Sequence, residues 1–230
     1  MSLFSYQELK SKYTINEKSY TNLYESAKFE SANIRDVNQE FDIFLSHSYK
    51  DKEIIPYLKK ELESLGYTVY VDWINDRFLS RETVNKGTAK VLQKRMRQSK
   101  SLLFATSENS SNSKWMPWEL GYFDGIRNKR VAILPILKEK SSKNNFKGQE
   151  YLGLYYYVTI NNLSKTFENE PMMMEPKSFR ELIEKSKKVQ ALFIHQDESS
   201  FVPYNSWLDG EEPFTNLSRL GQILEKFENK

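Results

Sequence analysis

The chain has 230 residues, no cysteine and a formal net charge of +3. The lack of cysteine excludes disulfides, thiolate metal ligands and cysteine nucleophiles. The small net charge, made of interspersed charges of both signs, does not indicate a nucleic-acid-binding protein. The first residues are polar and acidic, so no signal peptide is predicted. No apolar run approaches the roughly 20 residues of a membrane-spanning helix, and a soluble, cytoplasmic protein is expected.

Residues 1–39 carry only weak periodic patterns and are interpreted as an N-terminal extension. Apolar residues at helical spacing favour helix over strand in this extension. The clearer of its two patterns is formed by Tyr20, Leu23, Tyr24 and Ala27, and the weaker one by Phe4, Leu9 and Tyr13.

The segment that follows alternates short apolar runs with amphipathic ones. The short runs predict buried strands, at Phe41–Ser46, Thr68–Val71, Ser101–Thr106 and Val131–Leu137. Between them, helical spacing predicts helices from Asp51 to Gly66, from Glu82 to Gln98, and from about Ser113–Met116 to Gly125. Gly66 is a typical residue at a helix C-terminus, and Ile74–Arg81 is predicted to be a loop.

Strict alternation of strand and helix predicts a parallel sheet with right-handed crossovers and helices on both faces. The tyrosine-rich run Leu154–Ile160 is predicted to add an edge strand, which makes five strands in a mainly parallel sheet. Further helices are predicted over Phe179–Leu192 and over Leu217–Phe227. The last one is expected to pack on the domain or on a partner.

The stretch from Ser113 to Gly125 concentrates aromatic residues around one carboxylate. Trp115 and Glu119 are four residues apart and share a helix face. Pro117 is tolerated only in the first turn, so the helix begins close to it. Glu119 then lies in or near that first turn, where the helix dipole favours a negative charge. Trp118 is assigned to the core.

Ligands of open parallel sheets bind beyond the carboxyl ends of the strands. The polar and aromatic residues at those ends are Ser46, His47, Ser48, Asp72, Trp73 and the loop Ser107–Asn109, which leads to Trp115 and Glu119. No glycine-rich phosphate loop occurs. No metal site is predicted, because the two histidines, His47 and His195, lie far apart without ligand spacing.

Four motifs together resemble a Toll/interleukin-receptor (TIR) domain of the prokaryotic kind. They are F-D-I-F-L-S-H-S-Y-K-D, G-Y-T-V-Y-V-D-W, S-K-W-M-P-W-E-L-G and V-A-I-L-P-I. The resemblance covers roughly residues 40 to 160 and implies the flavodoxin-like TIR fold. The TIR domain is predicted over 40–192, and a C-terminal extension with an amphipathic helix over 193–230. One departure is the loop Trp73–Arg81, which lacks the proline-glycine turn of animal signalling TIR domains.

The W-x-x-x-E segment, Trp115 to Glu119, resembles the segment with the catalytic glutamate in TIR enzymes that cleave NAD+. The resemblance implies that Glu119 is catalytic, that NAD+ is the substrate, and that no separate cofactor is needed. The implied substrate-binding residues are Ser46, His47, Asp72, Trp73 and Trp115. Nicotinamide leaves as a neutral molecule, and the ribose cation then gives ADP-ribose with water or a cyclic ADP-ribose isomer with a hydroxyl of the same molecule.

Alternatives stay open for each residue and for the function. Glu119 could be an ordinary helix-stabilising acid, His47 a structural loop residue, Ser46 a cap and Asp72 a turn former. Resemblance to antiphage defence enzymes implies self-association through TIR domains and a downstream effector that senses the product. The rival functions are a non-catalytic TIR–TIR interaction module and a nucleoside deoxyribosyltransferase-like enzyme.

Overall fold

A computed structural model describes residues 2–13, 39–76, 86–127, 130–139, 150–162 and 190–214. These residues belong to two compact units, one formed by residues 4–140 and the other by residues 1–3 and 141–230. The helices predicted around residues 20–27 and over Leu217–Phe227 lie outside the described residues. Within the described ranges, no helix is both long enough and apolar enough to cross a membrane.

The unit of residues 4–140 is built on a parallel sheet. Its strands are β1 (Phe4–Ser5), β2 (Phe41–Ser46), β3 (Val69–Tyr70), β4 (Ser99–Thr106) and β5 (Val131–Leu137). β2 pairs with β3 and β4, β4 also pairs with β5, and β1 runs parallel to the end of β5. The central strands are buried along almost their whole length, as expected for parallel strands covered on both faces.

Helices connect these strands, which confirms the predicted α/β alternation. They are α1 (Tyr6–Tyr13), α2 (Ile55–Ser64), α3 (Asp72–Asn75), α4 (Lys86–Arg97) and α5 (Trp115–Arg127), with 3-10 turns at Tyr49–Asp51 and Ser110–Asn112. Gly66 follows α2 with a φ of 93°, a left-handed conformation that suits glycine because it has no Cβ.

Two boundaries in this unit differ from the prediction. Residues 72–75, of which the last two were assigned to a loop, form the single helical turn α3. Ile74 is fully buried within it, so its apolar side chain belongs to the core and not to a polar connection. The strand predicted over Thr68–Val71 is shorter in the structure, where β3 consists of Val69 and Tyr70, although the Thr68 carbonyl also accepts hydrogen bonds from β2.

Residues 4–13 are an integral part of this unit. β1 adds to the sheet, and α1 is anchored on α2 by the buried carboxylate of Glu61. Lys12 Nζ lies 2.7 Å from both oxygens of that carboxylate, and the Tyr13 hydroxyl donates to it at 2.5 Å. Burial together with this bond raises the pKa of Tyr13 to about 12. The N-terminal segment is helical over residues 6–13, as the periodicity favours.

The other unit contains β6 (Tyr156–Asn162), β7 (Gln190–His195), β8 (Phe201–Pro203) and α6 (Tyr204–Leu208). β7 pairs antiparallel with both β6 and β8. The prediction of helix at residues 190–192 is wrong, because the continuous apolar run Ala191–Ile194 is buried between two neighbouring strands. Residues 179–189 lie outside the described ranges. The predicted strand at 154–160 begins at Tyr156, since Leu154 ends a 3-10 turn and is 83% exposed.

Candidate active site

The register of the sheet places the ends of β2 and β4 side by side. Ser46, the last residue of β2, is paired with Phe104 near the end of β4. The loop after β4 leads through the 3-10 turn to α5. Because both strands run in the same direction, the residue after β2 and the start of α5 meet at one edge of the sheet.

α5 begins where the sequence predicts. The Ser113 hydroxyl accepts a hydrogen bond from the Met116 backbone N–H at 3.3 Å, as an N-terminal capping serine does. Pro117 is the third helical residue, where its missing N–H costs nothing. Glu119 is the fifth residue of the helix and lies directly after the first turn. The helix dipole therefore stabilises its negative charge less than it would within the first turn.

Glu119 lies on the face of α5 that points into the core. The fully buried positions of this helix follow helical spacing and are Met116, Glu119, Leu120 and Phe123. A carboxylate on such a stripe needs a hydrogen-bonding partner to offset its loss of water. Ser46 supplies one, because its hydroxyl donates to Glu119 Oε2 at 2.6 Å and is itself fully buried. The short distance is typical of a hydroxyl donating to a charged oxygen.

The imidazole of His47 is held by two opposite hydrogen-bonding partners. Nδ1 lies 2.9 Å from the carbonyl oxygen of Leu45, which can only accept. Nε2 lies 2.7 Å from the indole N–H of Trp73, which can only donate. These two contacts require a proton on Nδ1 and a lone pair on Nε2.

Asp72 Oδ1 also approaches His47 Nε2, at 3.7 Å. An ion pair here would require a proton on Nε2, in conflict with the indole donor. The contact of Nε2 with the Trp73 indole is 1 Å shorter than its contact with Asp72 and has hydrogen-bond geometry. We therefore assign His47 the neutral form with its proton on Nδ1. His47 and Asp72 are both buried, and α3 is the element that brings Asp72 and Trp73 to this position.

Trp115 starts a row of aromatic rings on the neighbouring face of α5. Its ring meets Trp118 edge to face at a centroid distance of 5.4 Å, and Trp118 stacks on Tyr122 at 5.7 Å. All three rings are only partly buried. The assignment of Trp118 to the core is therefore wrong, because the core-facing stripe of the helix runs through Glu119.

Each predicted site residue thus lies at the carboxyl end of the sheet or on α5. The structure joins Ser46 to Glu119, and it joins His47 to Trp73 and Asp72. Trp115 lies one turn before Glu119 and contacts Trp118. Across the residues that the structure describes, no group of histidine and carboxylate side chains could hold a metal ion.

Sequence reasoning missed a polar link between the loops after β2 and β4. Asp51 accepts hydrogen bonds from the Ser107 hydroxyl at 2.6 Å and from the Asn109 side chain at 2.7 Å. Asp51 is 7% exposed, so this carboxylate fastens the loop that follows Ser46 to the loop that leads to α5. The sequence shows a cluster of polar residues after each of the two strands, and this cluster could have indicated a link. The spacing of these residues along the chain does not show which of them bond to each other.

The sequence of this chain is similar to those of known proteins. The family model for the TIR domain matches residues 43–171. A protein of Bacillus cereus (strain MSX-D12) named "Probable 3′ cyclic ADP-D-ribose synthase ThsB′" is 46% identical over 173 residues, which are 75% of this chain and 78% of that protein. A protein of Cytobacillus dafuensis named "Putative cyclic ADP-D-ribose synthase TIR2" is 41% identical over 96 residues, 41% of this chain and 25% of that protein.

The matched region contains β3, β4, β5, most of β2, both strand-end loops and α5. It spans more than half of the chain, and the Bacillus cereus relative extends the similarity over three quarters of it. On this evidence the chain belongs to the TIR domain family.

Proposed function

We propose that this protein cleaves NAD+ at the bond between nicotinamide and ribose, and that it forms a cyclic ADP-ribose isomer. The observation that carries the proposal is the buried pair of Ser46 and Glu119, 2.6 Å apart, at the carboxyl end of a parallel sheet. The names of the two relatives, both cyclic ADP-D-ribose synthases, support the reaction class.

Cleavage places few demands on the protein. The bond from C1′ of the ribose to the nicotinamide nitrogen breaks, and nicotinamide leaves with the bonding electrons. Its ring nitrogen was cationic, so the leaving group is neutral and needs no proton. The ribose is left with oxocarbenium character, and a carboxylate beside it stabilises that charge.

Glu119 is the carboxylate that we assign to this role. Ser46 holds one of its oxygens in a fixed direction, so the group does not have to reorganise as charge develops on the ribose. His47, Asp72, Trp73 and Trp115 are proposed to line the substrate site. No separate cofactor or metal is part of the proposed reaction.

The product depends on which oxygen reaches C1′. A new bond forms from that oxygen to C1′, and the attacking hydroxyl releases its proton, for which Glu119 is a suitable acceptor. Water would give ADP-ribose, whereas a ribose hydroxyl at the other end of the same molecule would close a ring. The names of the two relatives, both cyclic ADP-D-ribose synthases, favour ring closure.

Glu119, Ser46 and His47 have no solvent-exposed surface in this structure. Contact between NAD+ and Glu119 therefore requires a rearrangement that opens the site. Self-association through TIR domains is proposed as a source of that rearrangement, and a second protein that senses the cyclic product is the proposed downstream partner.

Purified protein at high concentration, mixed with NAD+, tests the proposal. Nicotinamide release is followed, and the products are identified by mass spectrometry. The wild type should release nicotinamide and form a cyclic isomer, while Glu119→Gln should lose at least about 100-fold in kcat, comparable to the loss of one electrostatic stabiliser. Glu108→Gln is the matched control, because this carboxylate lies on the preceding loop and forms an ion pair with Lys138 in which both side chains are exposed.

Equal turnover by Glu119→Gln and wild type would refute the assignment of Glu119. The absence of turnover in both, at every protein concentration, would favour a non-catalytic interaction module. Exchange of bases on deoxynucleosides would instead indicate a deoxyribosyltransferase.

A further inference from the structure

A second polar cluster lies behind the site, at the end of α3. The carboxylate of Asp76 accepts two hydrogen bonds from Arg95 of α4, from Nε at 2.9 Å and from Nη2 at 3.1 Å. The Tyr70 hydroxyl of β3 donates to the same carboxylate at 2.8 Å. The guanidinium also lies over the Tyr70 ring, 5.8 Å from its centroid.

This cluster is partly buried and geometrically specific. The side chains of Arg95 and Asp76 are 16% and 22% exposed. Two parallel N–H donors on one carboxylate give a fixed relative orientation, which a lysine could not reproduce. The hydrogen bond to Asp76 helps to raise the pKa of Arg95, and burial raises the pKa of Tyr70.

The cluster holds the residue that closes the helical turn. The Asp76 backbone N–H donates to the Asp72 carbonyl at 2.7 Å, the bond that completes α3. At the other end, the Asn75 side chain accepts from the Val71 N–H at 2.7 Å. An isolated helix of four residues is unstable in water, so α3 depends on such external anchors.

α3 in turn aims the indole of Trp73 at the active site. Its N–H donates to His47 Nε2, and His47 directly follows Ser46, the partner of Glu119. A continuous series of contacts therefore runs from α4 to the proposed substrate wall. Loss of the ion pair between Arg95 and Asp76 would weaken the helical turn α3, and the indole of Trp73 would then no longer be held against His47.

We propose that Arg95 and Asp76 are positioning residues of this site, whose bidentate ion pair fixes the turn that holds Trp73 against His47. Neither residue is assigned a contact with substrate. The kinetic part of the proposal rests on the proposed NAD+ cleavage, whereas the structural part does not.

Nuclear magnetic resonance of the full chain tests the structural part. The chain has only two histidines and four tryptophans, so the imidazole nitrogen and indole N–H signals are few. The Trp73 indole signal is assigned as the one missing in Trp73→Phe. In Arg95→Ala, that N–H should exchange with solvent at least about tenfold faster, as expected when local opening becomes easier, and the His47 Nε2 signal should move as in Trp73→Phe.

Three comparisons make the result specific. His195 lies in the other unit, so its nitrogen signals should not change. Lys94→Ala removes the same charge from an exposed position of α4 and should leave Trp73 and His47 as in wild type. Asp76→Asn keeps the shape of the side chain but removes its charge, and should reproduce the effect of Arg95→Ala.

Steady-state kinetics test the functional part. Arg95→Ala should raise the KM for NAD+ by about tenfold and change kcat by less than about threefold, because a misplaced wall weakens substrate and transition state alike. Arg95→Lys should restore part of the affinity. The proposal is overturned if Arg95→Ala and Asp76→Asn leave the Trp73 and His47 signals unchanged, or if Lys94→Ala alters them equally. If Arg95→Ala does not fold, Asp76→Asn decides the question by the same signals, with Trp73→Phe as the reference.

Discussion

His195 is a buried histidine whose protonation should destabilise the fold. It lies in β7, is 2% exposed and stacks on Tyr157 at a centroid distance of 5.1 Å. Its Nδ1 contacts the Asp197 carbonyl at 3.2 Å, so this nitrogen carries a proton, and Nε2 lies 2.9 Å from the Thr159 hydroxyl. Burial lowers its pKa from 6.5 to about 4, against the opposing effect of Asp197.

The sign and size of the effect follow from that difference. A folded-state pKa below the unfolded one means that the unfolded chain binds the proton more tightly. The contribution of neutral His195 to the free energy of unfolding is fully present above pH 6.5 and is lost as the pH falls towards 4. A difference of about 2.5 in pKa corresponds to about 3 kcal/mol, of which about 2 kcal/mol should already be lost at pH 5.

Urea unfolding at neutral pH and at pH 5, for wild type and His195→Gln, isolates this contribution. The glutamine amide can donate and accept hydrogen bonds but does not titrate. The free energy of unfolding of wild type should fall by about 2 kcal/mol more than that of the variant over this range. An NMR titration of the imidazole should give a midpoint well below 6.5. Equal pH dependence of both proteins, together with an ordinary midpoint, would refute the reasoning.

Two further pairs of variants test local energetics by urea unfolding. Ser46→Ala removes a hydrogen-bond donor to the Glu119 carboxylate and should lower the free energy of unfolding by about 1.5–3 kcal/mol. Ser101→Ala removes a hydrogen bond to a neutral carbonyl and should lower it by about 1 kcal/mol. Equal losses would contradict a charged Glu119. Gly66→Ala should cost about 1–2 kcal/mol because of its positive φ. Gly125→Ala, in open space within α5, should stabilise by about 0.5–1 kcal/mol, and the same sign for both glycines would refute this account.

The candidate site shows where prediction from spacing succeeds. Pro117 marks the start of α5, because its missing N–H restricts it to the first turn. The polar residues after each strand were predicted to gather at one edge, because parallel strands end together. Both arguments use only local rules, and Ser46 and Glu119, 73 positions apart, indeed meet.

The same rules fail where a contact depends on a third element. Trp118 was assigned to the core because aromatic residues at helical spacing usually face inward, yet the inward stripe of α5 passes through Glu119. Residues 190–192 were predicted to be helical, but they pair with β6, and the residues of β7 that follow them pair with β8 as well. In both cases burial is decided by neighbours that are distant in sequence.

Apart from the short turn α3, local sequence alone determined the order of strands and helices in the described part of residues 40–140, because apolar periodicity and the restrictions on proline and glycine act within a few residues. It also determined which polar residues lie at strand ends. Only the tertiary structure decided that Ser46 orients Glu119, that Trp73 sets the tautomer of His47, and that Arg95 bonds to Asp76 at the end of α3. Hydrogen bonds act over about 3 Å and depend on direction, so their partners are chosen by the packing of the whole sheet and its helices and not by spacing along the chain.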